Sequence, residues 1–263
     1  MEVSVIIPTY KPKGYIYECL ESLKKQTLSK ELFEVLLVVN GDKEPYYTNI
    51  EKWIKDNNLK NFKLFYSEIS GVSNARNIAL DLSQGEYIAF IDDDDYIDDN
   101  YLEELFITNE KLGTDVLIVA DQIRFEDKSN KILTKVKYFF KGKSLIRTRK
   151  VFSCVWAKMI SKNIIKNIRF STKYKNGEDT LFMLEISKNI KSVKKTRKEI
   201  FYYRRVRKDS VCFRKKNKKE VFRNSLSLAK DFYKLLFIKE YDKRFVFIQI
   251  LSIFKGTIVQ LKN

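Results

Sequence analysis

Two periods alternate along the first 120 residues, and that alternation restricts the fold more than any other feature of the chain. Val3 to Pro8 is a short apolar run closed by a breaker, and Tyr15 to Lys25 then sets Ile16, Cys19, Leu20 and Leu23 on one helical face. The pair of patterns returns as a strand over Phe33 to Val39 with a helix over Tyr47 to Asn57, and as a strand over Phe62 to Tyr66 with a helix over Val72 to Leu82. Tyr87 to Ile91 and Asp115 to Ala120 predict two further strands around a helix from Tyr101 to Leu112, which Asp98, Asp99 or Asn100 can cap. Near-continuous apolar strands in repeated βα units predict an α/β fold, with a mostly parallel sheet covered on both faces and ligands at the carboxyl ends of its strands.

Beyond Ile123 the pattern turns irregular, with a short β-ribbon expected around "KVKYFF". A smaller region follows that carries "VWAKMISKNII" and a helix opened by Gly177, Glu178 and Asp179. From about Lys218 the chain reads as helical, and Gln249, Ser252, Gly256 and Gln260 draw one narrow polar stripe along an otherwise apolar helix.

Charge and residue usage exclude several functions. The net charge of +17 is concentrated in residues 191–263, where 22 Lys/Arg face 6 Asp/Glu, so an anionic partner is favoured there. Three widely spaced cysteines, Cys19, Cys154 and Cys212, form neither a disulfide framework nor a zinc knuckle and point to a reducing compartment. The start "MEVSVIIPTY" enters a strand pattern directly, and no apolar run is long enough to span a membrane, which leads to the expectation of a cytoplasmic protein. Histidine is absent, so acid–base work and metal binding fall to carboxylates.

One segment concentrates those carboxylates. In "YIAFIDDDDYIDDN", Asp92, Asp93, Asp94 and Asp95 follow an apolar strand directly. Carboxylates so close repel one another, and a divalent metal, a hard ion that prefers oxygen, is the simplest compensation. A solvated acidic turn is the alternative, and the position at a strand's carboxyl end favours the metal.

"VSVIIPTY", "GVSNARNIAL", "GEYIAFIDDDDYI", "NGED" and "YYRRVRKDSV" resemble, in that order, the successive motifs of the family 2 glycosyltransferases, over residues 3 to about 211. The resemblance implies a GT-A fold divided into a nucleotide-sugar half (1–125), an acceptor and catalytic-base half of the same domain (126–216) and basic amphipathic helices (217–263). It further implies inverting transfer of a sugar from a nucleotide diphosphate, a UDP-sugar in the first instance, to a surface glycan, with Mn²⁺ or Mg²⁺. By position, Asp92 and Asp94 match the DxD element that reaches the ribose and the metal, and Asp93 falls beside the nucleoside. Asp95 stands where it can touch either the metal or the acceptor. Asp179 matches the base that deprotonates the acceptor hydroxyl, with Glu178 and Trp156 on the acceptor side.

Pro8, Thr9 and Tyr10 correspond to the strand exit that holds base and ribose, and Arg76 to an arginine near the nucleotide. Arg204, with Arg207 and Lys208 behind it, matches a basic loop over the diphosphate. The chain departs from the family where "VVNGDKE" replaces an acidic motif: Asn40, or Asp42, would have to read the nucleobase. Taken alone, Arg76 could equally form a helix-surface salt bridge, and Trp156 could be core.

The expected partners are the sugar nucleotide, a glycan or lipid-linked glycan acceptor and no nucleic acid. The basic tail could dock peripherally on the inner face of an anionic plasma membrane, pack on the domain or form a homodimer. An aspartate-nucleophile phosphatase would leave the "GED" motif unused, and an acidic pocket would repel the backbone of a nucleic acid unless it held a metal.

Overall fold

The computed structural model describes residues 1–140, 144–207 and 217–262. The alternation is present as β1 (Val3–Thr9), α1 (Tyr15–Lys24), β2 (Phe33–Asn40), α2 (Tyr46–Asp56), β3 (Phe62–Ser67), α3 (Val72–Leu82) and β4 (Tyr87–Phe90). Then come β5 (Tyr96–Ile97), α4 (Tyr101–Leu112), β6 (Val116–Val119), β7 (Asp121–Glu126), β8 (Ile132–Val136), β9 (Lys158–Ser161), α5 (Lys162–Ile165), α6 (Glu178–Ile186), β10 (Ser192–Lys195), β11 (Phe201–Val206), α7 (Lys218–Leu235) and α8 (Lys243–Lys262).

Seven strands form the main sheet in the order β10-β6-β9-β4-β1-β2-β3. All its pairings are parallel except those of β9, which runs antiparallel to β4 and to β6. The stretch "VWAKMISKNII" therefore lies at the middle of the sheet rather than in a smaller region beyond it. A four-stranded sheet, β5-β11-β7-β8, stands beside it, and the β7–β8 ribbon includes the start of "KVKYFF".

Every residue of β1 and β2 is buried because alternate side chains feed two cores. Ile6, Leu36 and Val38 join Ala75 and Ala79 of α3 on one face, while Val5, Ile7 and Leu37 join Leu20 of α1 and Leu105 of α4 on the other. The one carboxylate in this layer, Glu34, is fully buried and accepts from Ser4 Oγ (2.7 Å), Gln84 N (2.7 Å) and Lys63 Nζ (2.8 Å). Burial alone would raise its pKa, but Lys63 and the other donors hold it below the usual carboxylate value. At Gly85 the turn before β4 crosses β1 so closely that a Cβ would lie 2.6 Å from Ser4 N.

Two local expectations change in three dimensions. The N-cap of α4 is Asn100, and it makes no side-chain capping bond. Asp98 instead accepts the Phe201 amide at 2.8 Å, joining the turn to β11. At the C-terminus α7 and α8 form an antiparallel hairpin, with Thr257 Oγ1 donating to Ser225 Oγ at 2.7 Å. Its inner side buries Phe232, Phe245 and Val246, together with the polar Gln249 and Thr257. Cys19 and Cys154 are buried free thiols, and Cys212 lies outside the described residues.

Candidate active site

A cavity of about 920 Å³ opens at the carboxyl ends of β1, β2 and β4, with the small sheet as one wall and the start of α6 as another. It collects Pro8, Tyr10, Asn40, Arg76, Asp92, Asp93, Asp94, Trp156, Glu178, Asp179, Arg204 and Arg207, residues up to two hundred positions apart in sequence. The strands bring them there because each ends at the same edge of a parallel sheet, where the chain turns into a loop or helix.

Arg76 is the centre of the arrangement. From the first turns of α3 its guanidinium, only 2% exposed as a residue, donates to Asp179 Oδ1 at 2.5 Å and to Asp92 Oδ1 at 2.9 Å. Burial alone would lower its pKa, and the charges of Asp179 and Asp92 reverse that, so the guanidinium stays protonated. One planar cation thus links the first aspartate of the acidic turn to the expected base. The reading of Arg76 as a helix-surface salt bridge is replaced by a buried one.

Asp179 sits at the N-terminus of α6, where the helix dipole favours an anion. Burial pushes its pKa up and Arg76 opposes the shift. Beside it, burial and then the Asp179 charge push Glu178 up to about 7. Glu178 Oε2 is buried with no hydrogen-bond partner within the protein. Gly177, at φ +91°, starts the helix in the left-handed region, and a Cβ there would lie 2.7 Å from Leu228 of α7. Asn224 of α7 also donates to Asn176 O at 3.0 Å. The C-terminal hairpin therefore braces the loop that leads into Glu178 and Asp179, a role for which the sequence holds no local signal.

The four aspartates of the turn do not converge. Asp94 takes Arg207 through Nε at 2.8 Å and Nη2 at 2.7 Å, a two-point grip. Asp93 accepts the Tyr10 amide, and burial with Asp94 and Asp92 nearby raises its pKa well above normal. Asp95 is 2% exposed and accepts from Tyr202 Oη at 2.7 Å and from the Arg205 amide at 2.8 Å. Asp95 therefore ties β11 to the turn and is not among the residues that line the cavity. Arg207 and backbone amides oppose the mutual repulsion of Asp93, Asp94 and Asp95, but burial and the neighbouring aspartates outweigh them and all three carboxyls are pushed above the usual range.

Of the other expected residues, Thr9 is fully buried and its carbonyl accepts from Asn40 Nδ2 at 2.8 Å. Asn40 Oδ1 accepts the Gly71 amide at 2.8 Å, so its amide joins β1, β2 and the approach to α3. Asp42 stands outside the cavity lining and pairs with Lys11 at 2.7 Å. Trp156 is buried, stacks on Tyr202 with centroids 5.1 Å apart, and carries the Arg204 guanidinium 5.3 Å from its ring centroid at the cavity wall. Lys208 lies outside the described residues.

Among the described residues no three His, Cys, Asp or Glu side chains converge as a closed metal cage. The donor chemistry nevertheless fits a hard divalent ion that shares its shell with phosphate and water, since Asp92 and Asp94 both reach the cavity with part-exposed carboxylates.

Known proteins share both sequence and fold with this chain. It is 28% identical over 214 residues to the poly(ribitol-phosphate) beta-N-acetylglucosaminyltransferase TarS of Staphylococcus aureus, a match covering 77% of this chain and 35% of that protein. The chain thus spans about a third of the length of that relative. The crystal structure of S. aureus TarS 1-349 in complex with UDP-GlcNAc superposes with a TM-score of 0.76 at 23% identity, covering 96% of this chain and 72% of that one. Mannosyltransferase PcManGT from Pyrobaculum calidifontis, in complex with GDP-Man and Mn²⁺, superposes with a TM-score of 0.66 at 14% identity, covering 99% and 74%. Those likenesses establish the fold as GT-A. Residues 4–169 match the family described as Glycosyl transferase family 2, and the chain belongs to that family.

Proposed function

We propose that this protein is an inverting, metal-dependent glycosyltransferase that moves a sugar from a UDP-sugar to a hydroxyl of a surface polysaccharide. The observation that supports the reading is the Asp92–Arg76–Asp179 bridge, in which two carboxylates, the one proposed for the donor side and the other proposed as the base, share one buried cation. In the proposed step Asp179 accepts the proton of the acceptor hydroxyl as that oxygen attacks the anomeric carbon. The bond from that carbon to the diphosphate breaks with its electrons leaving on the diphosphate, so the configuration inverts.

Arg76 orients the base, and burial raises its basicity against the opposing charge of Arg76. Arg204 and Arg207 at the cavity wall suit the phosphate oxygens. A divalent ion, Mn²⁺ or Mg²⁺, held by Asp94 and Asp92 would neutralise charge on the leaving group. The Mn²⁺ in the PcManGT complex supports that assignment.

The UDP-GlcNAc bound in TarS supports a uridine nucleotide here, although Asn40 is engaged with backbone. On the acceptor side the cavity is lined by Arg124, Lys150 and Lys175 beside Trp156 and Glu178. Those cations favour an acceptor that bears phosphate, in keeping with the poly(ribitol-phosphate) in the name of TarS.

Thermal denaturation with UDP, GDP and CDP, each with and without Mn²⁺, tests the donor: one nucleotide should stabilise in a metal-dependent way. Asp179→Asn should lose transfer and keep that stabilisation. Substantial transfer by the variant would overturn the assignment of the base.

A further inference from the structure

The C-terminal hairpin carries apolar residues on its outer side as well as its packed one. On α8 the buried side includes Gln249 and Thr257, whereas Phe247 (54% exposed), Leu251, Phe254 and Ile258 face outward. Those four recur at spacings of four, three and four, which is one continuous stripe on the side opposite the packed face. On α7 the exposed apolar residues Phe222, Leu226 and Tyr233 again fall on one side, and Phe237 (73% exposed) continues the line just beyond the helix end. The Ser225–Thr257 contact and the antiparallel pairing set both stripes on the outer side of the hairpin, away from the base loop that its inner side braces.

Exposed lysines and arginines flank the hydrocarbon. Helical spacing places Lys243 on one side of the α8 stripe and Arg244 and Lys255 on the other, and Arg223 and Lys230 beside the α7 stripe. Residues 217–262 carry ten Lys/Arg against four Asp/Glu. Bringing two such faces together would oppose like charges, which disfavours a second copy of the chain as the occupant. Apolar rings framed by long cationic side chains match the interface of an anionic bilayer, where the rings enter the acyl boundary and the charged tips reach the headgroups. Among the described residues no helix is long and apolar enough to cross a membrane.

We infer that the outer face of the α7–α8 hairpin is a peripheral docking surface for an anionic lipid bilayer. It holds the catalytic domain at the membrane by interfacial insertion of Phe247, Leu251, Phe254 and Ile258 together with the apolar residues of α7. The inference does not depend on the identity of donor or acceptor.

Flotation of the full chain with phosphatidylcholine vesicles, with and without phosphatidylglycerol, tests it. Wild type should float with the phosphatidylglycerol vesicles, and raised salt should weaken the association. Leu251→Glu/Phe254→Glu should reduce bound protein about tenfold or more while leaving the circular dichroism spectrum and Tm unchanged. Leu226→Glu on α7 supplies an independent reading should the double variant not fold. Equal flotation of wild type and folded variants, or no flotation of wild type with anionic vesicles, would overturn the inference. So would a concentration-dependent dimer that the same variants dissociate, since that result assigns the face to a second copy.

Discussion

The cavity at the strand ends and the outer face of the α7–α8 hairpin break the ordinary rule of burial in opposite directions. In the cavity and just behind its wall charged groups leave water: Arg76 and Asp179 in the cavity and Asp95 behind it are buried or nearly so, and each meets an ion pair or a hydrogen-bonding donor. On the hairpin apolar groups stay in water, and Phe247, Leu251 and Phe254 have no covering layer among the described residues. Buried charge is costly unless it is paired, and exposed hydrocarbon is costly unless something covers it. The cavity meets part of its cost internally through arginines and part through carboxyls whose pKa is pushed up, while the hairpin leaves its cost to a partner.

Substitutions separate the two regions. The largest effect should come from Asp179→Asn, with kcat lower by about 10³-fold and UDP-induced stabilisation retained, measured with a nucleotide-release assay and thermal denaturation. Arg76→Met leaves Asp92 and Asp179 without their shared cation and should cost about 3–5 kcal/mol in urea denaturation. A neutral result there would mean that the cavity does not pair its charges as described.

Glu178→Gln tests the same pairing through pH. Because burial and Asp179 raise Glu178 from 4.5 to about 7, the folded protein keeps a proton that the unfolded chain has already released. Stability from this group is therefore present at low pH and is lost as pH rises from 4.5 to about 7, by up to about 3 kcal/mol. Glu185, pushed to about 7 by burial, adds to the same slope. The fall of Tm across that window should be shallower in Glu178→Gln, with the parts due to Glu185 and to the raised aspartates remaining.

A smaller loss is expected for Tyr202→Phe, which removes the donor to Asp95 and should cost about 2 kcal/mol with β11 still paired. Smallest of all, Leu251→Glu on the hairpin should change stability by less than about 0.5 kcal/mol, although it introduces a charge into a helix rich in apolar residues. A large loss at Leu251 would show that the stripe is covered in solution and would erase the contrast between the regions.

Much of the fold and some of the site are legible along the chain. Strand and helix periods in residues 1–120 depend on neighbours one to four positions apart, and β1 to β4 and α1 to α4 accordingly appear within a residue or so of their expected bounds, while the two-residue β5, too short to show a period, is not among the expected elements. Asp92, Asp94 and Asp179 stand out because each lies next to a strand end or a helix start that is itself visible in sequence. By contrast, the antiparallel entry of β9 between β4 and β6 depends on pairings across tens of residues, which no local period records. Asp95, expected to touch either the metal or the acceptor, is instead engaged by Tyr202 and Arg205 of β11, a pairing across more than a hundred residues.

The sequence by itself determined the βα alternation, the carboxylates available for chemistry in a chain without histidine, and the basic excess of the last quarter, because all three are properties of composition or short-range order. Only the tertiary structure decided how the charges are shared. It put Arg76 between Asp92 and Asp179, 16 and 103 residues away, gave Asp94 to Arg207, and took Asp95 out of the cavity. It also decided which side of α8 faces outward, since an isolated helix has two sides and only packing against α7 and the domain core selects the one that remains in water.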